Sequence, residues 1–404
     1  MAVQVSEVMA TGAPEVRLEG DRAIWTSRVR GSTTDDLWFS VPASAHDMLS
    51  PVADPALLGL LLPAMRQGRD LQVDGRVSTD LYSALDLVQH VVCRTYPEYR
   101  RIHVECSELD DATYRSPGVG MGFSGGVDSF AALVRHHLDP DPGVRRLTHL
   151  LFNNVGSHGS SPGSTALFQK RLARVQRATG TLGLPLIDLD SNLDEHFRLD
   201  EAYTRTAFLQ TGFMRNAAAA HVLASGIGTW LYSASTSLDP VGIHPSPDSA
   251  EMEPLALPLL SSARLTARIT GLEPRVAKTL AVADLPADLR PFLDVCIHEV
   301  DGPPINCSQC EKCMRTMLTL EIVGGLGRFT PQVFRPWRVR QRAAYMAEVL
   351  AAPSEPYEAE MIAEAALRGW VWPRRSIMRG QALRRSRGAM AWARRTRAAI
   401  TPRT

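Results

Sequence analysis

The stretch Val119-Gly120-Met121-Gly122-Phe123-Ser124-Gly125-Gly126-Val127-Asp128-Ser129-Phe130-Ala131-Ala132-Leu133 decides how the chain is read. Its first five residues are apolar and follow Pro117, which suits a short buried strand. Glycines and serines interrupt it, and FAALVRHHL then has helical spacing. The same alternation continues outward. LTHLLFNNV precedes TALFQKRLARVQRATGTLG, LPLIDLD precedes FLQTGFMRNAAAAHVLASGIG, and TWLYSAS closes the series. Short apolar strands separated by helices mean βαβ units and a parallel sheet, an α/β fold. In such sheets ligands lie beyond the carboxyl ends of the strands, so function is sought there.

The flanking regions read differently. VRLEGDRAIWTSRV has two alternating runs around Glu19-Gly20-Asp21, a hairpin signal, and DLWFSVP follows as a third strand. With helices at DPALLGLLLPAMRQG and TDLYSALDLVQHVV, residues 1–108 form an N-terminal α+β domain. Residues 109–285 form the α/β domain and 286–330 a cysteine-rich segment. Residues 331–372 read as two helices, RVRQRAAYMAEVLAAP and EPYEAEMIAEAALRGW, and 373–404 as a basic tail. Cys93 and Cys106 fall on apolar positions and read as core.

The loop Ser124–Ser129 carries the chemistry. No Gly-Lys-Ser/Thr follows the glycines, which excludes a Walker loop. Gly120, Gly122 and Gly125 match a dinucleotide fingerprint formally, but the residues before them, DDATYRSPG, are polar. The second strand also ends without an acid to grip a ribose. With VGMGF as the strand, Gly125 and Gly126 free backbone N–H groups to wrap an anion, and Ser124 and Ser129 can donate to phosphate oxygens. Asp128 would repel a phosphate directly, so its expected task is to hold Mg²⁺.

Ser124-Gly125-Gly126-Val127-Asp128-Ser129 resembles the SGGxDS signature of the PP-loop (N-type) ATP pyrophosphatases, within the adenine nucleotide alpha hydrolase-like superfamily. The resemblance implies a HUP-like doubly wound parallel sheet and ATP with Mg²⁺. It also implies attack of a substrate oxygen on the α-phosphate. An adenylated intermediate and pyrophosphate result, after which a nitrogen or sulfur nucleophile displaces AMP.

Cys296, Cys307, Cys310 and Cys313 form C-x10-C-x2-C-x2-C. Two-residue gaps let successive thiolates converge on one tetrahedral ion, so a structural Cys₄ zinc site is expected. An iron–sulfur cluster is the competing reading, although Met317 stands where a ferredoxin run would continue. The 7-cyano-7-deazaguanine synthases are similar in layout, with a C-terminal Cys₄ zinc site and an Arg-Asn pair like Arg215-Asn216 opening a helix. The likeness covers about residues 115–325. The longer upstream cysteine spacing and the loop Asn153-Asn154-Val155-Gly156-Ser157-His158-Gly159 depart from it, so the same substrate is not implied.

Further candidates sit after the later strands. Ser233, Ser235, Thr236 and Asp239 suit pyrophosphate or substrate. Asn153, Asn154 and His158 suit adenine or substrate, and Arg215 suits a phosphate or carboxylate. Asp188 and Asp190 read equally as solvated strand ends. His244 lies in a Pro-rich loop, and Lys312 and Arg315 flank the cysteines, with Lys312 expected in solvent. Asp128, Ser129 and Arg215 are the expected catalytic residues.

The 404 residues carry 45% hydrophobic and 22% charged positions, six cysteines and a formal charge of +1. Few cysteines and no leader-like N-terminus suit a cytoplasmic protein, and no membrane span is expected. The near-neutral charge conceals a split. Residues 373–404 hold ten arginines and no acid, which leaves the preceding 372 residues at −9. The only lysines are Lys170, Lys278 and Lys312, read as codon bias. The expected function is ATP-dependent adenylation of a small-molecule carboxylate or carbonyl oxygen, then displacement of AMP by ammonia or an amine. Ala2 stands where an N-terminal amidotransferase would have cysteine, so an ammonia- or sulfur-donor protein is an expected partner. An RNA-modifying sulfurtransferase or ligase, with RNA on the arginine-rich tail, is the alternative. A non-catalytic nucleotide-binding module comes third, and a homodimer is allowed.

Overall fold

The computed structural model describes residues 8–32, 36–140, 142–158, 162–197, 204–298, 300 and 302–400. Its strands are β1 Met9–Thr11, β2 Glu15–Glu19, β3 Arg22–Arg30, β4 Asp36–Pro42, β5 Leu71–Ser78, β6 Val104–Asp110, β7 Val119–Gly122, β8 His149–Asn154, β9 Leu186–Ser191, β10 Thr229–Ser233 and β11 Thr266–Thr270. Its helices are α1 Asp54–Gln67, α2 Thr79–Thr95, α3 Val127–Leu133, α4 Pro162–Leu182, α5 Leu193–His196, α6 Thr204–Val222, α7 Glu253–Ala256, α8 Arg275–Ala283, α9 Glu311–Ile322, α10 Val339–Ala351, α11 Pro356–Leu367 and α12 Arg374–Ile400. Two compact units emerge. One comprises the described residues of Met1–Ser124 and Ala132–Leu272, the other those of Gly125–Ala131 and Glu273–Thr404.

The first unit holds all the described strands, in the order β11-β10-β7-β8-β9-β4-β3-β1-β5-β6 with β2 beside β3. The run β11 to β9 is parallel, as are β1-β5 and β5-β6, while the steps around β3 and β4 are antiparallel. The expected hairpin forms, with Gly20 at φ 59° in the turn. Successive side chains on a strand point to opposite faces. Leu151 accordingly enters the core shared with α1 and α6, whereas Phe152 stacks on Phe168 of α4 at 5.3 Å. Helices thus cover both faces of the parallel strands.

Two features differ from the sequence reading. The parallel series does not close at TWLYSAS, because β11 pairs with β10 from Thr229–Thr266 to Ser233–Thr270. TARIT is short and carries an arginine, so it lacks the apolar run that marks its neighbours. The sheet also runs across the boundary placed near residue 108. Phe39 and Ser40 of β4 pair with Ser191 and Asp190 of β9, and Arg22 donates to Asp188 at 2.6 Å across the same junction.

The second unit is helical. Val276, Leu318, Ile322, Tyr345, Met346, Val349, Met361 and Ala365 form its core. α12 begins within the stretch read as an appendage and is seated on α10. Ser376 Oγ donates to the carbonyl of Ala343 at 3.3 Å, and a Cβ on Gly380 would lie 2.9 Å from Leu350 Cβ. Small residues one turn apart let the helices approach closely, a stripe that hydropathy alone does not reveal.

Candidate active site and metal centre

β7 ends at Gly122, and the buried Phe123 extends its pairing by donating to the carbonyl of Leu151 at 2.8 Å. Ser124 is exposed. Gly125 turns the chain at φ 77°, where a Cβ would lie 2.8 Å from the carbonyl oxygen of Phe292. Its own carbonyl accepts the N–H of Asp294 at 2.8 Å, so the loop is tied to the segment leading to Cys296. The carbonyl of Gly126 accepts the Phe130 N–H and the Ser129 hydroxyl, both at 3.0 Å. Val127 and Ser129 are buried and Asp128 half-buried.

Asp128 meets two cations. Arg275 donates to one carboxylate oxygen at 2.9 Å and Lys278 to the other at 3.0 Å, both from the first turns of α8. Only 2% of the Lys278 side chain is exposed. Burial lowers its pKa, with Arg275 adding to that effect and Asp128 opposing it. Burial also disfavours the Arg275 charge, but Asp128 and Tyr357 together more than restore it, and the net shift is upward. Arg315 stacks on Tyr357 with 3.9 Å to the ring centroid, and Arg275 lies 5.8 Å from the same centroid. Lys312 is exposed, as expected, yet desolvation and the charges of Arg275 and Arg315 depress its pKa. Two cations thus pair directly with the loop carboxylate and Lys312 lies within electrostatic reach of it, while Arg315 pairs with Glu311 at 3.6 Å. Arg275 and Lys278 escape a motif reading. The available signal was that Lys278 is one of three lysines in an arginine-rich chain.

Other expected site residues are placed in the first unit. Asn153 Nδ2 donates to Asn216 at 3.3 Å, and its buried Oδ1 has no partner. The buried Ser233 hydroxyl is also unpartnered, while Ser235 and Asp239 are exposed. Asn154 donates to Asp190 at 2.7 Å and receives the His158 N–H at 3.2 Å, which knits the ends of β8 and β9. Burial lowers the pKa of His158 to about 4. His244 is exposed, 3.4 Å from Glu251. Gly159 lies outside the described residues.

Arg215 is 1% exposed. Its guanidinium donates to the carbonyls of Val155 and Phe208, the latter at 2.8 Å, and to the Thr211 hydroxyl at 3.1 Å. It also stacks on Phe208 at 4.6 Å. Burial lowers its pKa to about 10. These contacts make it a tie between α6 and the end of β8, because its fork is spent on backbone acceptors. Cys93 and Cys106 pack on the core as expected, and burial raises both thiols, Cys106 to about 12.

The ligating atoms of Cys296, Cys307, Cys310 and Cys313 all lie within 4.8 Å of one another. Sulfur separations are 3.4 Å for Cys310–Cys313, 3.8 Å for Cys307–Cys313 and 4.0 Å for Cys296–Cys310. Four thiolates about 2.3 Å from one zinc would be ~3.8 Å apart, so the set fits a tetrahedral ion. Backbone N–H groups of His298 and Cys307 point at Cys296, and those of Gln309 and Cys310 at Cys307, at 3.3–3.4 Å. Such donors stabilise thiolates. Asn306 braces the knuckle by receiving the Val295 N–H and donating to the carbonyls of Leu293 and Val333.

Comparison of the chain with protein-family models, with curated proteins and with solved structures returns no match.

Proposed function

We propose that the protein is an ATP-dependent ligase of the PP-loop type, which adenylates a small-molecule carboxylate or carbonyl oxygen. The observation that carries this reading is the pairing of Arg275 and Lys278 with Asp128, with Lys312 in electrostatic reach of the same carboxylate, beside the positive-φ glycine turn at Gly125. A lone carboxylate would be satisfied by one cation. Arg275, Lys278 and Lys312 beside one carboxylate suit a polyphosphate carrying several charges.

The substrate oxygen attacks the α-phosphorus, a P–O bond forms, and the bond to pyrophosphate breaks. Arg275 and Lys278 take the charge that builds on the leaving pyrophosphate. Mg²⁺ held by Asp128 would offset charge between adjacent phosphates. An amine then attacks the activated carbon, AMP departs with the carbon-bound oxygen, and the amine loses a proton to water. A Cys₄ zinc, closed to further ligands, would order the knuckle that carries Lys312 and Arg315.

The test is ATP–pyrophosphate exchange with the purified chain, Mg²⁺ and pooled carboxylate metabolites. Reversible adenylation gives exchange, and Lys278→Ala should reduce it at least 100-fold. Absence of exchange with every pool, and of AMP formation with added ammonia, would overturn the proposal.

A further inference from the structure

We propose that the end of the second unit where α10 and α12 begin is a docking surface for single-stranded RNA. α12 spends Ser376 and Gly380 on its seat against α10. The arginines Arg374, Arg375, Arg379, Arg384, Arg385 and Arg387 remain exposed. None of these six forms an ion pair with a described residue. Elsewhere in the same unit Arg275, Arg315, Arg328, Arg342 and Arg368 each face a carboxylate. The tail contains no acid of its own. A row of unpaired guanidinium groups calls for an anion from outside, and a phosphate backbone matches their fork.

Ser376 meets Ala343, and Gly380 meets Ala347 and Leu350, so α10 and α12 run in the same direction. Arg338 and Arg340 therefore share one end with Arg374 and Arg375. Trp337 precedes α10, and Trp370 and Trp372 precede α12. All three rings are only partly buried, and the last two meet edge to face at 4.9 Å. Arginines interleaved with accessible indoles suit unpaired bases, which stack on aromatic faces while guanidinium groups hold the phosphates. A duplex keeps its bases stacked and would use only the arginines. A membrane surface fits less well, because six of the eleven exposed positions between Arg374 and Arg387 are arginines and only Ile377 and Met378 among them are large and apolar.

The test uses the full chain and a fluorescent 20-nucleotide RNA of mixed sequence, read by anisotropy from 50 to 300 mM salt. Binding should weaken linearly on a log–log plot, with a slope of roughly 0.7 per phosphate contact. Replacing Arg374, Arg375, Arg379, Arg384 and Arg385 by Gln should lower affinity at least tenfold and flatten the slope. Trp370→Ala with Trp372→Ala should weaken the single strand about tenfold and leave the matching duplex unchanged. Should the Gln variant lose its thermal transition, Arg384→Glu with Arg385→Glu takes its place. Equal binding by wild type and variants, no binding at 50 mM salt, or preference for duplex or for phosphatidylglycerol vesicles would overturn the proposal.

Discussion

The ammonium of Lys278 lies 3.0 Å from the carboxylate of Asp128, with the lysine side chain 2% exposed and the aspartate side chain 26% exposed. A buried cation thus depends on a loop residue that solvent and ligand can reach. Ligand at the loop would compete with Asp128 for Lys278 and Arg275, which links occupancy of the loop to the seating of α8.

Removing either partner should have unequal consequences. Asp128→Asn removes the carboxylate that both cations contact, leaving them to the weaker fields of Glu273 and Glu360, and about 3 kcal/mol of stability should be lost. Lys278→Met leaves Asp128 paired with Arg275, so the cost should be nearer 1 kcal/mol. In the double variant the losses should not add, with a coupling of roughly 1–3 kcal/mol. Chemical denaturation of the four proteins measures this, and strict additivity would deny that the pair interacts.

Gly125 and Gly122 make a matched comparison. Gly125→Ala combines φ 77° with a 2.8 Å approach to the Phe292 carbonyl, a backbone atom with little freedom to yield. A cost of about 2–3 kcal/mol is expected, along with weaker ATP binding. A Cβ on Gly122 meets nothing within 4 Å, so Gly122→Ala should be nearly neutral. Equal melting temperatures for both variants would contradict the geometry.

The sequence made the hairpin, the βα alternation and the cysteine convergence legible, because each follows from local pattern or ligand spacing. It missed what depends on distant partners. Arg275 and Lys278 acquire meaning only when α8 meets the loop 147 and 150 residues away in sequence. β11 was invisible because TARIT carries no apolar run. The Arg-Asn pair at 215–216 suggested an anion contact, yet burial against Phe208 and three oxygen acceptors turns Arg215 inward.

Arg215 should accordingly behave as a structural residue. Arg215→Met leaves the carbonyls of Val155 and Phe208 without these donors inside the protein. Each buried orphan costs roughly 1–3 kcal/mol, so melting should fall by well over 5 °C. The KM for ATP should stay within about twofold. A large rise in KM with an unchanged melting temperature would restore the phosphate-contact reading.

Glu253 predicts a pH dependence. It is 3% exposed, accepts the Ser249 hydroxyl at 2.7 Å and the Tyr232 hydroxyl at 3.2 Å, and burial raises its pKa from 4.5 to about 7. Between those values the folded state holds the proton more tightly than the unfolded state, so stability falls as pH rises through that window. Above pH 7 the ionised form costs up to about 3 kcal/mol. Glu253→Gln should lose this slope and gain on the wild type with rising pH. Parallel stability–pH curves would refute the shift.

Metal removal should reach the loop chemistry as well as the fold. Cys310 and Cys313 flank Lys312, and Arg315 follows one turn after Glu311 in α9. Without an ion, four thiols within 4.8 Å of one another would be held in place only through neighbours such as Asn306, bonded to Val295, Leu293 and Val333, and Ser308, bonded to Arg335 and Gln341. Elemental analysis should give one zinc per chain. Chelation should lower the melting temperature and abolish pyrophosphate exchange together, and zinc should restore both. Cys310→Ser should reproduce the chelated state in the presence of zinc. Iron with visible absorption would replace zinc by a cluster, and chelation that lowers stability while sparing exchange would separate Lys312 and Arg315 from the chemistry.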